Sequence, residues 1–241
     1  MKKLIFRTSI VALLLVIFSS CTQDDPIGFT GKQGVYFNAT DGTIDSLYYS
    51  FLGKIPDVDT IKIPLKVMGN KLVTDQLYKV VIDETKTTAV EGLHYKKLEE
   101  SYVFPANKFG TDLKLVVNRN DPALLTEDRV IALKLVPTDD FDLGYSNKVN
   151  LRVFITNRLI KPSYWDTYLY IYFGDYSKVK HNIAINTQGH DFPLLETDAK
   201  STAKGFGTTY WGIQGRGVCS YIIENEVYDE DGNRIYPWSV L

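Results

Sequence analysis

Cysteine is nearly missing from this chain: 241 residues hold only Cys21 and Cys219. One of the two closes a distinctive N-terminal segment, so no disulfide framework is available to the body of the protein and its stability must come from packing. Methionine is just as scarce, with two residues, and tryptophan stops at three. Charge of a single sign is also lacking, since 27 Lys and Arg stand against 29 Asp and Glu. A balance so close to neutral provides no basic stripe, so nucleic acid and anionic surfaces are not expected as partners through long-range charge. The sequence has no H-E-x-x-H for zinc, no G-x-S-x-G elbow for a serine hydrolase and no EF-hand loop. These gaps close the commonest routes to a catalytic assignment.

What the N-terminus does contain is specific. Lys2 and Lys3 give a positive start, and an apolar run ending at Phe18 is too short for a stable two-sided membrane span. Ser19 and Ser20 then place small residues directly before Cys21. This order reads as a lipoprotein signal peptide over residues 1–20, removed by a peptidase that cuts before a cysteine already carrying diacylglycerol. Cys21 is therefore the expected lipid attachment site and first mature residue. Each buried methylene contributes ~0.8 kcal/mol, so an acylated Cys21 holds a soluble domain on the bilayer without a transmembrane helix. Residues 21–33, polar and carrying Asp24, Asp25, Pro26 and Gly28, read as a tether.

From residue 34 to 160 a two-residue period dominates. Val35 and Phe37 alternate, as do Leu47, Tyr49 and Phe51, then Ile61, Ile63, Leu65 and Val67 with lysines between them. Further runs fall at Tyr78 to Ile82, Tyr102 to Phe104, Leu113 to Val117, Ile131 to Leu135 and Val149 to Ile155. Short alternating strands between Gly-, Pro- and Asn-rich turns predict an antiparallel, immunoglobulin-like β-sandwich with one solvated face per sheet. The high aromatic content, 16 Tyr and 12 Phe, suits packing across strands.

Pro162 ends the pattern, and residues 161–241 read as a smaller α+β module. Tyr164, Trp165, Tyr168 and Leu169 recur at three and four residues and predict one or two helices over 163–188. Residues 189–207 read as loop or short helix. Tyr210 to Val227 is ambiguous, because Val218, Tyr221 and Ile222 have helical spacing while Gly212, Gly215 and Gly217 each cost about 1 kcal/mol in a helix. Val227 to Tyr236, around Asp229-Glu230-Asp231-Gly232-Asn233, predicts a closing β-hairpin. The fold class expected is thus mainly β, a sandwich followed by a small α+β module.

Two resemblances attach to particular residues. Ala89-Val90-Glu91-Gly92-Leu93-His94-Tyr95, then Tyr102-Val103-Phe104, then Ile131-Ala132-Leu133-Lys134-Leu135 resemble the Calx-beta sandwich pattern, whose turn reads A-x-x-G-x-D-Y. His94 stands where that family often has an aspartate, so the calcium binding of some of its members is not carried over and no cofactor is expected. Over most of the mature length, Pro162 and Trp165, then Tyr172-Phe173-Gly174 with Tyr176, Ser177 and Lys180, are similar to a family of Bacteroidetes outer-membrane lipoproteins of unknown function. Many of those are encoded near nutrient-import systems of the starch-utilisation type. The resemblance implies a surface-exposed outer-membrane lipoprotein, with outer-membrane transporter components and glycans as candidate partners.

Among residues that could carry chemistry, His181, His190 and Asp191 are the nearest to a metal set, but their spacing favours loop and turn histidines. Cys219, with Arg216 as its nearby cation, reads as a buried apolar residue rather than a nucleophile. The glycines at 212, 215 and 217 reverse the spacing of a dinucleotide fingerprint and do not suggest phosphate binding. The acidic runs Asp139-Asp140 with Asp142, and Asp229 to Asp231, read as solvated turns before catalytic pairs. Sugar stacking needs exposed flat rings, and Tyr210 and Trp211, among glycines, are the pair selected for it, with Trp165 and Trp238 behind them and module core as the competing role. The leading expectation is a non-enzymatic binding or scaffolding lipoprotein of a glycan-uptake system. A polysaccharide or peptide hydrolase and a structural adhesion module are the alternatives.

Overall fold

The computed structural model describes residues 31–39 and 45–239. The expected signal peptide, the lipid site Cys21 and nearly all of the expected tether lie outside the described residues. Alternation of apolar and polar residues yields nine strands among them: β1 (Gln33–Phe37), β2 (Ser46–Ser50), β3 (Val58–Met68), β4 (Gln76–Ile82), β5 (Tyr102–Phe104), β6 (Gly110–Asn118), β7 (Arg129–Val136), β8 (Phe141–Leu143) and β9 (Asn150–Thr156). They form a four-stranded sheet ordered β6-β3-β1-β8 and a five-stranded sheet ordered β2-β9-β7-β4-β5. The inward residues of both, such as Ile63, Leu65, Leu113, Leu115, Ile131, Leu133 and Val153, are buried against one another, the arrangement a two-layer sandwich requires.

Two features correct the sequence expectation. Both sheets are mixed, because β1 pairs parallel with β8 and β2 pairs parallel with β9. Alternation specifies which face a residue takes and is silent on strand direction, so an all-antiparallel sandwich could not be distinguished from this one. The second is β8, three residues inside the acidic turn that follows β7, where Phe141 is buried but the run is too short to show a period.

After β9 the backbone turns helical. A π-turn (Trp165–Leu169) leads into α1 (Tyr170–Phe173), followed by α2 (Lys178–Gln188), α3 (Glu196–Ala199) and α4 (Thr208–Glu224). The ends of α2 follow from local chemistry. The Ser177 hydroxyl accepts the Lys180 N–H at 3.0 Å, and Gly189 closes the helix at φ 76°. The ambiguous segment is a 17-residue helix despite its glycines. Its buried face, Trp211, Gly215, Val218 and Ile222, has helical spacing, and a Cβ on Gly217 would lie 3.0 Å from Thr187 of α2, so the small residue permits close helix packing that outweighs propensity.

The closing hairpin is reduced to a turn with one bridge pair, Tyr228 with Arg234. Asp229 Oδ1 accepts N–H groups from Asp231 and Asn233, and Gly232 takes φ 83°, so the turn forms as its residues dictate. No strand extends from it, since Tyr228 and Tyr236 stay exposed and give a longer ladder no second layer to bury against. A second core, centred on Trp165, Phe173, Phe192 and Trp211, fills the helical part. Both cores belong to one compact unit beginning at Lys32.

Candidate functional site

The helical part meets the sandwich at the far end of β2. Leu52 packs into the helical core, and Gly53, at φ 75°, brings its Cα so near the chain at Gly189 and His190 that a Cβ would lie 2.7 Å from the His190 nitrogen. Only glycine satisfies both the left-handed backbone and that approach. Beyond this contact the segment 190–198 stands away from β2 and leaves a groove of about 1010 Å³. One wall is β2 itself. The other carries Leu194 and Leu195, and the floor includes Arg158 and Ile160 from the chain that leaves β9. Tyr48, Ile160, Leu194 and Leu195 are all half or more exposed there, a concentration of bare apolar surface of the kind that marks a binding groove.

Polar groups converge at the inner end. Asp191 lies where Ser50 and its neighbour Phe192 both donate to its carboxylate, the latter at 2.8 Å, yet burial still holds the acid above the usual carboxylate range. Behind it His181 is fully buried, and its Nε2 has no hydrogen-bond partner and sits 3.9 Å from Asp191 Oδ1. That separation is too long for a hydrogen bond. Surrounded by Trp165, Tyr176 and Phe192, the imidazole is pushed down to about 4 by desolvation. His190 Nδ1 lies 2.7 Å from the Asp191 carbonyl and so donates to it, which leaves Nε2 to accept from the Tyr210 hydroxyl at 2.9 Å.

Nearer the opening the charges are paired. Arg158 lies 3.4 Å from Asp128, and Lys204 lies 2.7 Å from Asp198. Because these pairs are partly exposed, they shape the groove's polarity and add little stability.

The residues selected from sequence fall differently. Trp211 is buried, stacked between Phe192 at 5.3 Å and Phe206 at 5.5 Å, with Nε1 donating to the Ala199 carbonyl at 2.7 Å. It offers no face to a sugar, and Tyr210 is held edge-on to it with its hydroxyl on His190, so the stacking assignment is corrected to core. Trp165 is buried as well, and Trp238 covers Lys180 at 4.6 Å. Cys219 is buried, its Sγ donating to the Trp238 carbonyl at 3.2 Å.

Of the histidines expected in loops or turns, His190 lies in one, whereas His181 is buried within α2. His94 is buried and takes the Val90 N–H on Nδ1 at 2.8 Å, so its Nε2–H donates to Asp121 at 2.8 Å. In place of an aspartate it staples the Ala89–Tyr95 turn to the turn before β7. Among the described residues no three His, Cys, Asp or Glu are grouped to hold a metal ion. The acidic runs are engaged by backbone donors distant in sequence: Asp140 accepts the Leu77 N–H at 2.7 Å, and Glu230 accepts the Lys178 N–H at the start of α2.

Sequence reasoning missed the groove altogether. Its signal was the apolar cluster Phe192-Pro193-Leu194-Leu195, placed inside a stretch whose average character is polar.

A family model described as "Domain of unknown function (DUF4843)" matches residues 29–190. The match runs from before β1 through α2, so it takes in the sandwich and the start of the helical part. No curated protein matches in sequence. Among solved structures, the apo form of the Calx CBD1 domain aligns over 53% of this chain and 98% of its own, at 13% identity and a TM-score of 0.39. A structure described as a putative carbohydrate binding protein from Bacteroides ovatus aligns over 52% of this chain and 37% of its own, at 9% identity and a TM-score of 0.39. A multidomain protein including DUF1735, also from Bacteroides ovatus, aligns over 52% and 45%, at 17% identity and a TM-score of 0.39. The chain thus spans less than half the length of either Bacteroides structure.

Proposed function

The chain belongs to the DUF4843 family of unknown function, and from that premise we propose that it is a non-enzymatic binding or scaffolding lipoprotein of the outer-membrane surface, serving a nutrient-uptake system. Acylated Cys21 anchors it, and the groove between β2 and segment 190–198 takes its ligand. The observation that carries the binding role is the groove itself: about 1010 Å³, bounded by exposed apolar side chains and closed at its inner end by convergent polar groups. The anchor rests on the sequence before Cys21, and among the described residues no helix is long and apolar enough to cross a membrane. Glycan is the first ligand class to test, on the resemblance to lipoproteins many of which are encoded near nutrient-import systems of the starch-utilisation type; stacking on Trp211 has no part in it.

The test is recovery of the intact lipoprotein from membranes, with co-purifying proteins identified by mass spectrometry, beside binding of the purified protein to a glycan panel. Leu195→Arg, at an exposed groove position, is the control. An outer-membrane transporter component or a glycan retained by the parent and lost from the variant supports the reading. Retention of neither, or equal retention by both, overturns it.

A further inference from the structure

The wall of the groove formed by β2 has a chemistry of its own. In a parallel ladder alternate residues direct both backbone groups to the same side. The ladder with β9 is bracketed by the Arg152 N–H on the Asp45 carbonyl at 2.7 Å and the Phe51 N–H on the Thr156 carbonyl at 2.9 Å. Odd-numbered residues therefore face β9, and Ser46, Tyr48 and Ser50 turn their N–H and C=O groups away from it, into the groove. Those groups have no backbone partner among the described residues.

The other terminal strands are treated differently. Along β6, Lys96 N–H bonds the Val116 carbonyl at 3.0 Å and Asn118 N–H bonds the His94 carbonyl at 2.8 Å, so residues 94–96 cover that edge. The remaining terminal strands, β5 and β8, are three residues each. Coverage and brevity are the usual protections of a sheet edge. β2 is five residues long and has no such cover among the described residues.

We propose that the groove binds an extended, β-forming peptide segment of a partner protein, which adds to β2 as a further strand of the five-stranded sheet. Outward backbone groups at every second residue match a polypeptide backbone, which repeats donors and acceptors at the same interval, and match no feature of a pyranose chain. Leu194, Leu195 and Ile160 receive alternate side chains. The lining charges are largely paired, Arg158 with Asp128, Lys161 with Asp166 and Lys204 with Asp198, so backbone pairing and apolar contact carry the recognition. The inference rests on the groove reading and specifies its occupant.

The probes are peptides selected from a random display library against the full-length lipoprotein in detergent, with affinity measured by calorimetry. We expect selected sequences to be β-forming, with apolar residues alternating along one face. Methylating alternate backbone nitrogens of such a peptide along one edge should weaken binding about tenfold or more, and along the other edge should leave it nearly unchanged, because only one edge bonds β2. The N–H groups of Tyr48 and Ser50 should slow in hydrogen exchange when the peptide is bound. Tyr48→Pro removes an outward donor without touching the β9 ladder and should weaken binding as the methylation does. If that variant does not fold, the methylated pair decides. Equal binding of both methylated forms, or unchanged exchange at Tyr48 and Ser50, overturns the proposal. So does a glycan that binds in place of any peptide and is lost in Leu195→Arg, an outcome that leaves the groove reading intact. Loss of all binding to the groove removes both.

Discussion

The sandwich and the helical part solve the same packing problem with different side chains. The sandwich core is largely aliphatic, with Val, Ile and Leu repeating along every long strand. The helical core is built on rings: Trp165 lies 5.4 Å from Phe173 and from Phe192, and Phe192, Trp211 and Phe206 stack nearly parallel. Strands are held by ladders to their neighbours, so many small contributions suffice. Helices as short as α1 and α3 are marginal alone and must be secured by large buried areas on a few residues. Stability in the helical part is therefore concentrated, and in the sandwich it is distributed.

The largest effect that tests this contrast is Trp165→Ala, which should cost about 3–5 kcal/mol in urea unfolding, against about 0.5–1.5 kcal/mol for Ile131→Val in the sandwich. Hydrogen exchange on Trp165→Ala should show α2 and α4 losing protection before β3 and β7. Simultaneous loss would mean that the contact at Leu52 and Gly53 couples the cores more strongly than the contrast allows.

Acid should expose the difference next. Folding holds His181 neutral by pushing it down to about 4, whereas the unfolded chain titrates at about 6.5. The stability it contributes is full above about pH 6.5 and is lost as the pH falls through about 4, on the order of 3 kcal/mol in all. Asp191 opposes this, since its raised carboxyl pKa favours the folded state as the pH falls. Asp191→Asn should steepen the acid loss and His181→Phe should flatten it, both read from urea midpoints between pH 7 and 4. An identical slope in parent and His181→Phe would show that the aromatic core does not govern acid sensitivity.

A smaller loss is expected at the junction. Gly53→Ala places a Cβ 2.7 Å from the His190 nitrogen on a backbone at φ 75°, and should cost about 1–3 kcal/mol. If the parent's stability is kept, segment 189–190 gives way easily and the groove's inner end is soft.

How much of this was readable beforehand follows the same division. Eight of the nine strands could be placed, because Ile61, Ile63, Leu65 and Val67 and their counterparts declare a face by alternation alone. Strand direction could not, since β2 and β9 alternate identically whether parallel or antiparallel. In the helical part local propensity misled: Gly212, Gly215 and Gly217 argue against a helix until tertiary packing, such as Gly217 against Thr187 of α2, is considered. Trp211 was legible as an aromatic but not as a buried one, because exposure depends on Phe192 and Phe206, distant in sequence. The groove depends on the meeting of β2 with segment 190–198, a long-range contact of which the apolar cluster Phe192-Pro193-Leu194-Leu195 shows only one side.

The smallest effect concerns Tyr210, which sits at the boundary between the aromatic core and the groove. Its ring lies 4.8 Å from Trp211 and 5.3 Å from Phe206, both edge-on, while its hydroxyl donates to His190. Tyr210→Phe keeps both ring contacts and removes one hydrogen bond, so it should cost about 0.5–1.5 kcal/mol. If rings carry the stability of this region, that loss must fall well short of Trp165→Ala in the same urea titration. A loss of equal size would transfer the weight from aromatic area to the polar link that fixes His190 beside Asp191, and the contrast between the two cores would have to be redrawn around that link.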